Sequence, residues 1–570
     1  MTDTKNAASP TGNGQLPEWG RVLIAGGTDW PNLGRKVNNN EKSLEHIDLP
    51  QPHIQRDVAH EKMKRVFSGH SASHAFFLNE HGDIYALGRN EHGQLGLPRV
   101  PKPAPASAIG SKSEEAVQIG GKNVYTATRL DRDVHFSPPL PADQEGDIVH
   151  VACGRNHSIL CTRSGSVYAA GTNALGQCGN GQTEGDIEIF KRIEKAQYTK
   201  DKDAVVMVSA GITFSLILTA SGKVYGIGST EKGQLGNGKT GEHIIAANKV
   251  GYHTHTEPLL VRALLEKKII KISSGQQHSI ALDEDGYCYV WGFGGYGRLG
   301  LGTPPDDRLV PVLIPQFARE NALMRAKDVF AGPTASAVID RQRTFWLAGK
   351  WKTSGDGSAG QGFMTYKYFN ELMGCKMRTA SLGGVTLIAV ADEDPSLRGD
   401  HDATMNIAWG QGAGNGELGL GFDKPKSATK PQRCEPLDGI SIIDVAAGQN
   451  TTYYVARNLG DTYAELPSYP NASESQDNCL VCGKGDEAGE EGGEQSENVM
   501  LECERCDEPW HLQCLDPPLD SVPDGEWHCP QCLELVLDRT KSTATNGSKK
   551  RAAPGKDEGK AGSKKSKAGK

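Results

Sequence analysis

Two patterns of apolar and polar positions alternate along most of the chain. The first is a glycine, a few polar residues, then an apolar run. It starts at Gly69 (GHSASHAFFL), Gly154 (GRNHSILC), Gly211 (GITFSLIL), Gly275 (GQQHSIAL), Gly332 (GPTASAVI), Gly383 (GGVTLIAV) and Gly448 (GQNTTYYV). The second is a short apolar run ending on glycine, at Gly26 (VLIAG), Gly88 (IYALG), Gly171 (VYAAG), Gly228 (VYGIG), Gly292 (YVWG), Gly349 (FWLAG) and Gly410 (IAWG). Four pairs keep a constant offset of 17: 154 to 171, 211 to 228, 275 to 292 and 332 to 349. Turn formers such as Ser164-Gly165 and Asp285-Gly286 sit between them, so each pair predicts a β-hairpin.

The order of the two patterns decides the architecture. The series opens on a run of the second kind, Val22 to Gly26, and closes on one of the first kind, Gly448 to Val455. Left alone, each is half a hairpin with an exposed edge, which proteins tend to avoid. Paired, they complete a seventh unit and close a ring. A period of roughly 50 to 85 residues with short strands predicts a mostly β, seven-bladed propeller over residues 20–458, clasped by the N-terminal strand.

Composition agrees. Glycine supplies 69 of 570 residues, as many tight turns require, and 37% of positions are hydrophobic. No apolar stretch approaches the 18 or so residues of a transmembrane helix, which argues against a membrane partner. The first 20 residues have no apolar core, so no secretory signal is expected, and 13 cysteines then point to metal ligands or reduced thiols inside the cell. The net charge of −8 hides an asymmetry: residues 539–570 carry +9 and the rest −17. A basic tail on an acidic body signals a partner rather than a fold.

After the second pattern comes a glycine-rich turn: GRNEHGQLG from Gly88, GTNALGQCG from Gly171, GSTEKGQLG from Gly228, GFGGYGRLG from Gly292. These follow a strand but open no amphipathic helix, so they are not nucleotide-binding loops. Such turns resemble the regulator-of-chromosome-condensation repeat. LIAGGTDW (23–30), CGRNHS (153–158), WGFGGYGRLG (291–300) and GELGLGFDKPKSAT (416–429) narrow the resemblance to its telophase-disc subfamily, regulator of chromosome condensation 2. The resemblance implies a nuclear or mitotic protein that binds small GTPases or chromatin. The chain departs from the pattern at GKWKTSGDGSAGQG, which lacks Gln-Leu-Gly, and at the insertion ADEDPSLRGDHDAT. The turns after Gly171 and Gly228 carry no inserted wedge of the kind the Ran exchange factor of this family uses, whereas a Rac-like GTPase stays open. Tyr296 and Arg298, on an unusually aromatic turn, are candidate propeller contacts. His157 and His278 occupy matching positions and read as structural groups between strands, not as catalysts.

Residues 478–533 carry eight potential ligands as C-x2-C, C-x2-C, H-x2-C and C-x2-C: Cys479, Cys482, Cys503, Cys506, His511, Cys514, Cys529 and Cys532. Cysteines two residues apart reach one tetrahedral zinc from a tight knuckle, and eight ligands make two Zn2+ sites. Two such sites fold a segment with little core of its own. The other six cysteines (Cys153, Cys161, Cys178, Cys288, Cys375, Cys434) are scattered and read as small core residues. The ligand order, with Trp527 two before Cys529, resembles a PHD finger; RING-type ubiquitin ligases, the main competitor, usually lack that ending. By the family's cross-brace, Cys479, Cys482, His511 and Cys514 hold one zinc, and Cys503, Cys506, Cys529 and Cys532 the other.

PHD fingers read the histone H3 tail by adding it as a strand, here to Val499, Met500, Leu501 and Glu502. Asn478 and Pro509 stand where trimethyl-lysine readers carry cage aromatics, so the resemblance is to readers of an unmodified fourth-position lysine. In those, acids at the positions of Glu504 and Asp507 grip the histone's second-position arginine, consistent with charge-assisted bonding to a guanidinium. The loop Val522, Pro523, Asp524, Gly525 and Glu526 would hold the peptide's terminal amine.

The division expected is a disordered 1–19, a propeller over 20–458, a linker over 459–476, the finger over 477–536 and a basic disordered tail over 537–570. Clustered Lys and Arg in SKKRAAPGKDEGKAGSKKSKAGK suit a nuclear localisation signal or contact with nucleosomal DNA. The reading that results is a nuclear, chromatin-bound adaptor without bond-making activity. Guanine-nucleotide exchange on a Rac-like or Ran-like GTPase is the alternative.

Overall fold

A computed structural model describes residues 18–33, 48–98, 123–457, 466–470 and 479–533, apart from 184, 195–196, 247–248, 352–361, 395, 397–401, 480, 483, 486–498, 505, 507, 524, 526 and 531. The N-terminus before 18, most of the linker and of the acidic insert, and the basic tail therefore lie outside the described residues.

Seven sheets of four or five strands surround a common axis. In chain order the first blade is Met63–Phe67, His74–Asn79, Ile84–Arg89 and Asn123–Arg129. Five more follow, built on the hairpins His157–Thr162/Val167–Thr172, Phe214–Thr219/Val224–Ser229, His278–Asp283/Cys288–Gly292, Ala335–Asp340/Phe345–Gly349 and Thr386–Asp392/Thr404–Gly410. These are the hairpins that the two glycine patterns predict; an extra exposed hairpin after the Gly228 turn, His243–Ala246 against Lys249–Gly251, corrects the expectation that this turn carries no insertion. The predicted hairpins become the middle strands of each blade and are nearly all buried. Buried on both faces, they read as continuous apolar runs rather than as alternating ones.

The glycine that ends each third strand has a local reason. Gly171 has φ +104, and a Cβ there would lie 2.4 Å from the Asn156 carbonyl oxygen. The register shifts between Ala169 and Gly171, a bulge that bends the strand into its turn. Asn173 then ties the turn, its Oδ1 accepting from the Cys178 N–H at 3.0 Å, as Asn90 Oδ1 does from Leu95.

The seventh blade closes the ring. Arg21–Gly27 pairs antiparallel with Thr451–Ala456, Val22 opposite Val455 and Ile24 opposite Tyr453. The N-terminal part supplies two strands rather than a single clasp, since Asp48–Gln55 pairs on the far side of Arg21–Gly27. Ser468–Tyr469 then adds in parallel to Asp48–Gln55. The segment expected to be a linker is thus partly an edge strand: Pro467 brings its carbonyl to the Ile54 N–H at 2.7 Å.

The first strands of all seven blades line an axial cavity of about 290 Å3. Arg65 meets Asp444 of the neighbouring blade at 3.2 Å, and Lys271 pairs with Asp328 of the next blade. Among the described residues no helix is long and apolar enough to cross a membrane.

Candidate metal centre and peptide edge

Adjacent blades are joined at one end of their middle strands by a repeated relay. His157 Nε2 lies 2.9 Å from Ser215 Oγ of the next blade, and that hydroxyl donates to the Gln177 carbonyl at 2.9 Å. His74, Ser158 and Gln94 repeat it at 2.8 and 2.7 Å, and His278 meets Ser336 at 2.9 Å. A serine has one proton to donate, so the glutamine carbonyl takes it and the imidazole donates from Nε2. Burial keeps these rings neutral, lowering His74 to about 3 and His157 to about 4. The histidines are structural, each with a serine of the next blade as its side-chain partner.

The finger is built on a two-stranded sheet, Met500–Glu502 against Pro509–His511. The chain between the ligand pairs returns them in interleaved order: Cys479, Cys482, His511 and Cys514 converge on one point, and Cys503, Cys506, Cys529 and Cys532 on another. Within each group all ligand atoms lie within 4.8 Å of one another. Cys506 and Cys529 sulfurs are 3.8 Å apart, and Cys482 Sγ lies 3.3 Å from His511 Nδ1. A tetrahedron with Zn–S near 2.3 Å has edges of roughly 3.8 Å, so the donor set fits zinc. The backbone N–H groups of His511 and Cys529 point at the sulfurs of Cys479 and Cys503, at 3.3 and 3.2 Å, as thiolates require. His528 belongs to neither group.

Among the described residues, no other strand pairs with the outer edge of Met500–Glu502. Leu512 donates to the Val499 carbonyl and Leu501 pairs with Trp510, so the alternation of an antiparallel pair turns the backbone groups of Met500 and Glu502 outward. Val499, 40% exposed, and the side chains of Glu502 and Glu504 face solvent, while Leu501 is buried. The Glu504 N–H is held by the Trp527 carbonyl at 3.0 Å, tying this corner to the second zinc site. Val522 and Gly525 are exposed and Pro523 is half-buried; Gly525 has φ +97. Asp507, Asp524, Glu526 and Asn478 lie outside the described residues. Pro509 is buried in its strand and supplies no aromatic wall.

The propeller covers the opposite side of the finger. Arg56, just after the Asp48–Gln55 strand and only 8% exposed, donates from Nε to the Cys506 carbonyl at 3.1 Å and from Nη1 to the Pro470 carbonyl at 3.4 Å. Glu508 packs beside His60, Asp57 and Arg56, and its pKa is raised chiefly by burial. Leu501, Trp510, Leu512 and Leu515 belong to one apolar core with Leu23, Ile54 and Ala59. Nothing in the spacing of the sequence announces Arg56 as the docking residue; its partner is 450 positions away.

The aromatic turn resolves differently for its two candidates. Tyr296 is 50% exposed, in a left-handed conformation (φ 63). Arg298 is 2% exposed and donates to the Gly295 and Pro333 carbonyls, both at 2.9 Å, with Phe293 against its guanidinium. It builds the turn and is not a surface contact, because five donors on a buried plane must find acceptors inside.

A seven-bladed ring closed by its own two ends, with a two-site Cys/His finger docked on the closing blade, defines a propeller scaffold that carries a zinc module. The chain belongs to the RCC1-like domain family, whose pattern matches residues 16–338 and 110–454, and the PHD-finger pattern matches residues 479–532. It is 30% identical over 470 residues to the Protein RCC2 homolog of Xenopus laevis, covering 79% of this chain and 81% of that one. Protein RCC2 of Homo sapiens is 29% identical, with 79% of each covered. Among solved structures, human WBSCR16 superposes with a TM-score of 0.57 at 19% identity, over 77% of this chain and 100% of that one. Yeast Prp20p, whose structure was described with its binding properties to Gsp1p and histones, gives 0.56 at 18% identity, over 78% and 93%. Both likenesses are of fold.

Proposed function

We propose that the protein is a nuclear, chromatin-associated adaptor whose finger binds the histone H3 N-terminal tail with its fourth-position lysine unmodified. The observation that carries this reading is the edge at Met500–Glu502, which pairs with no second strand among the described residues, while the finger docks on the propeller through Cys506. A peptide strand added there meets Glu502 and Glu504, which suit a cationic tail, and finds no aromatic wall at Pro509 for a methylated ammonium. Asp507 joins Glu504 in gripping the second-position arginine, and Pro523, Asp524, Gly525 and Glu526 hold the terminal amine. The propeller is the interaction platform, with Tyr296 as an exposed contact, and the basic tail adds nucleosomal DNA phosphates.

Calorimetric titration of the zinc-loaded full chain with unmodified, fourth-lysine-trimethylated and N-acetylated H3 peptides tests it. Micromolar binding of the unmodified peptide alone, lost in Glu504→Ala, is expected. Equal binding of all three peptides, or of none, overturns it.

Exchange on a Rac-like or Ran-like GTPase is the second reading, and membership of the RCC1-like family favours it. Release of a fluorescent guanine nucleotide from each GTPase, with and without the protein, measures it directly.

A further inference from the structure

The His–Ser relay that joins neighbouring blades is missing at the seam between the fifth and sixth blades. Three residues after Gly332, where other blades have His157 or His278, stands Ala335. Four residues after Gly383, where the next blade offers Ser158, Ser215 or Ser336, stands Leu387. The turn after Gly349, which elsewhere supplies the accepting glutamine carbonyl, lacks Gln-Leu-Gly. Removing an imidazole and its partners from a close-packed seam leaves room, and the molecule has a cavity of about 270 Å3 there.

That cavity has a defined chemistry. Ala335, Leu382, Val385 and Leu387 form an apolar floor. Tyr296 and Lys350 stand at its mouth, the ammonium 5.1 Å from the ring centre. Among the described residues no carboxylate lines the cavity, so its one cation is not balanced from within.

We infer that the seam between the fifth and sixth blades is a binding pocket for an apolar or aromatic group that carries a carboxylate. The apolar part fills the space that a histidine occupies in other seams. The carboxylate meets Lys350 at the mouth. Size bounds the ligand: a 150 Å3 cavity accepts benzene, so this one takes a single ring with its acid arm rather than a dinucleotide. The group belongs either to a protein segment, as a Phe or Leu beside Asp or Glu, or to a free aromatic acid. This pocket is independent of the finger and of histone binding.

Saturation-transfer NMR on the zinc-loaded full chain separates the cases, with 3-phenylpropionate, its neutral amide and a capped Gly-Phe-Asp-Gly peptide as probes. Binding of the acid or the peptide, with the amide about tenfold weaker, is expected. Peptide alone assigns a protein partner; both, or the acid alone, assign a free acid. Lys350→Gln should erase the preference for the acid. Ala335→His with Leu387→Ser, which restores the pair found in other seams, should abolish binding while leaving the melting temperature unchanged or higher. If neither acid nor peptide binds, or the amide binds equally well, or the filled-seam variant binds undiminished, the inference fails.

Discussion

Arg56 donates to the main-chain carbonyl of Cys506, so a guanidinium at the end of a propeller strand holds a residue that ligates the second zinc. The bond is buried, and with the shared apolar core it makes finger and propeller one packed body. Arg56→Ala leaves that carbonyl and the Pro470 carbonyl without their charged donor, at a cost of about 1.5–3 kcal/mol locally. Hydrogen exchange should accelerate over 500–512 and 54–58, with zinc content unchanged. Unaltered exchange would show that the apolar contact alone fixes the finger.

Zinc removal should act on the finger first. The finger's small core is assembled around two ligand sets, so its folding free energy is largely metal-binding free energy. Mass spectrometry under native conditions should find two zinc ions per chain. Strong chelation should unfold 479–532, seen as a change in Trp510 and Trp527 fluorescence, and leave the β-sheet circular dichroism of the propeller almost intact. Cys503→Ser should lose one zinc and weaken the other, because the two sites share the Met500–His511 hairpin.

Glu417 occupies the position of Gln94, Gln177 and Gln234 in the glycine-rich turn. Its carboxyl is 1% exposed, and burial raises its pKa to about 7, with Asp48 adding to the effect. The folded state therefore keeps this proton at pH values where the unfolded chain, with a carboxyl near 4.5, has released it. The stability tied to this group is complete below about pH 4.5, falls as pH rises to about 7, and is constant above. Glu417→Gln should raise the melting temperature at pH 8 and much less at pH 5. An equal gain at both would exclude a titrating carboxyl.

His157→Ala should remove a buried donor and open a cavity at the seam with Ser215, costing about 2–4 kcal/mol in denaturant unfolding. The pH dependence has the opposite sign to that of Glu417. Burial depresses the His157 pKa to about 4, so the unfolded chain binds the proton first as pH falls from about 6.5. Wild-type stability drops through that window, and His157→Gln should blunt the drop.

Much of this molecule is written locally. Six glycine-led hairpins and a series that begins and ends on unlike halves suffice to predict the ring and the pairing of its two end strands, because hairpins and turns depend on residues close in sequence. The two zinc groups are legible for a related reason, since C-x2-C spacing carries its own geometry and the order matched a known cross-brace. The docking of Arg56 on Cys506, the burial of Arg298 and the edge strand at Ser468–Tyr469 were decided by tertiary structure. Each joins positions that no period relates, and each answers a demand that exists only in the packed state: a buried carbonyl needs a donor, a buried guanidinium needs acceptors, and a sheet edge needs cover. The pocket lies between the two. Ala335 and Leu387 stand in the sequence, but only the meeting of blades shows that they face one seam, and so leave a single space rather than two unrelated changes.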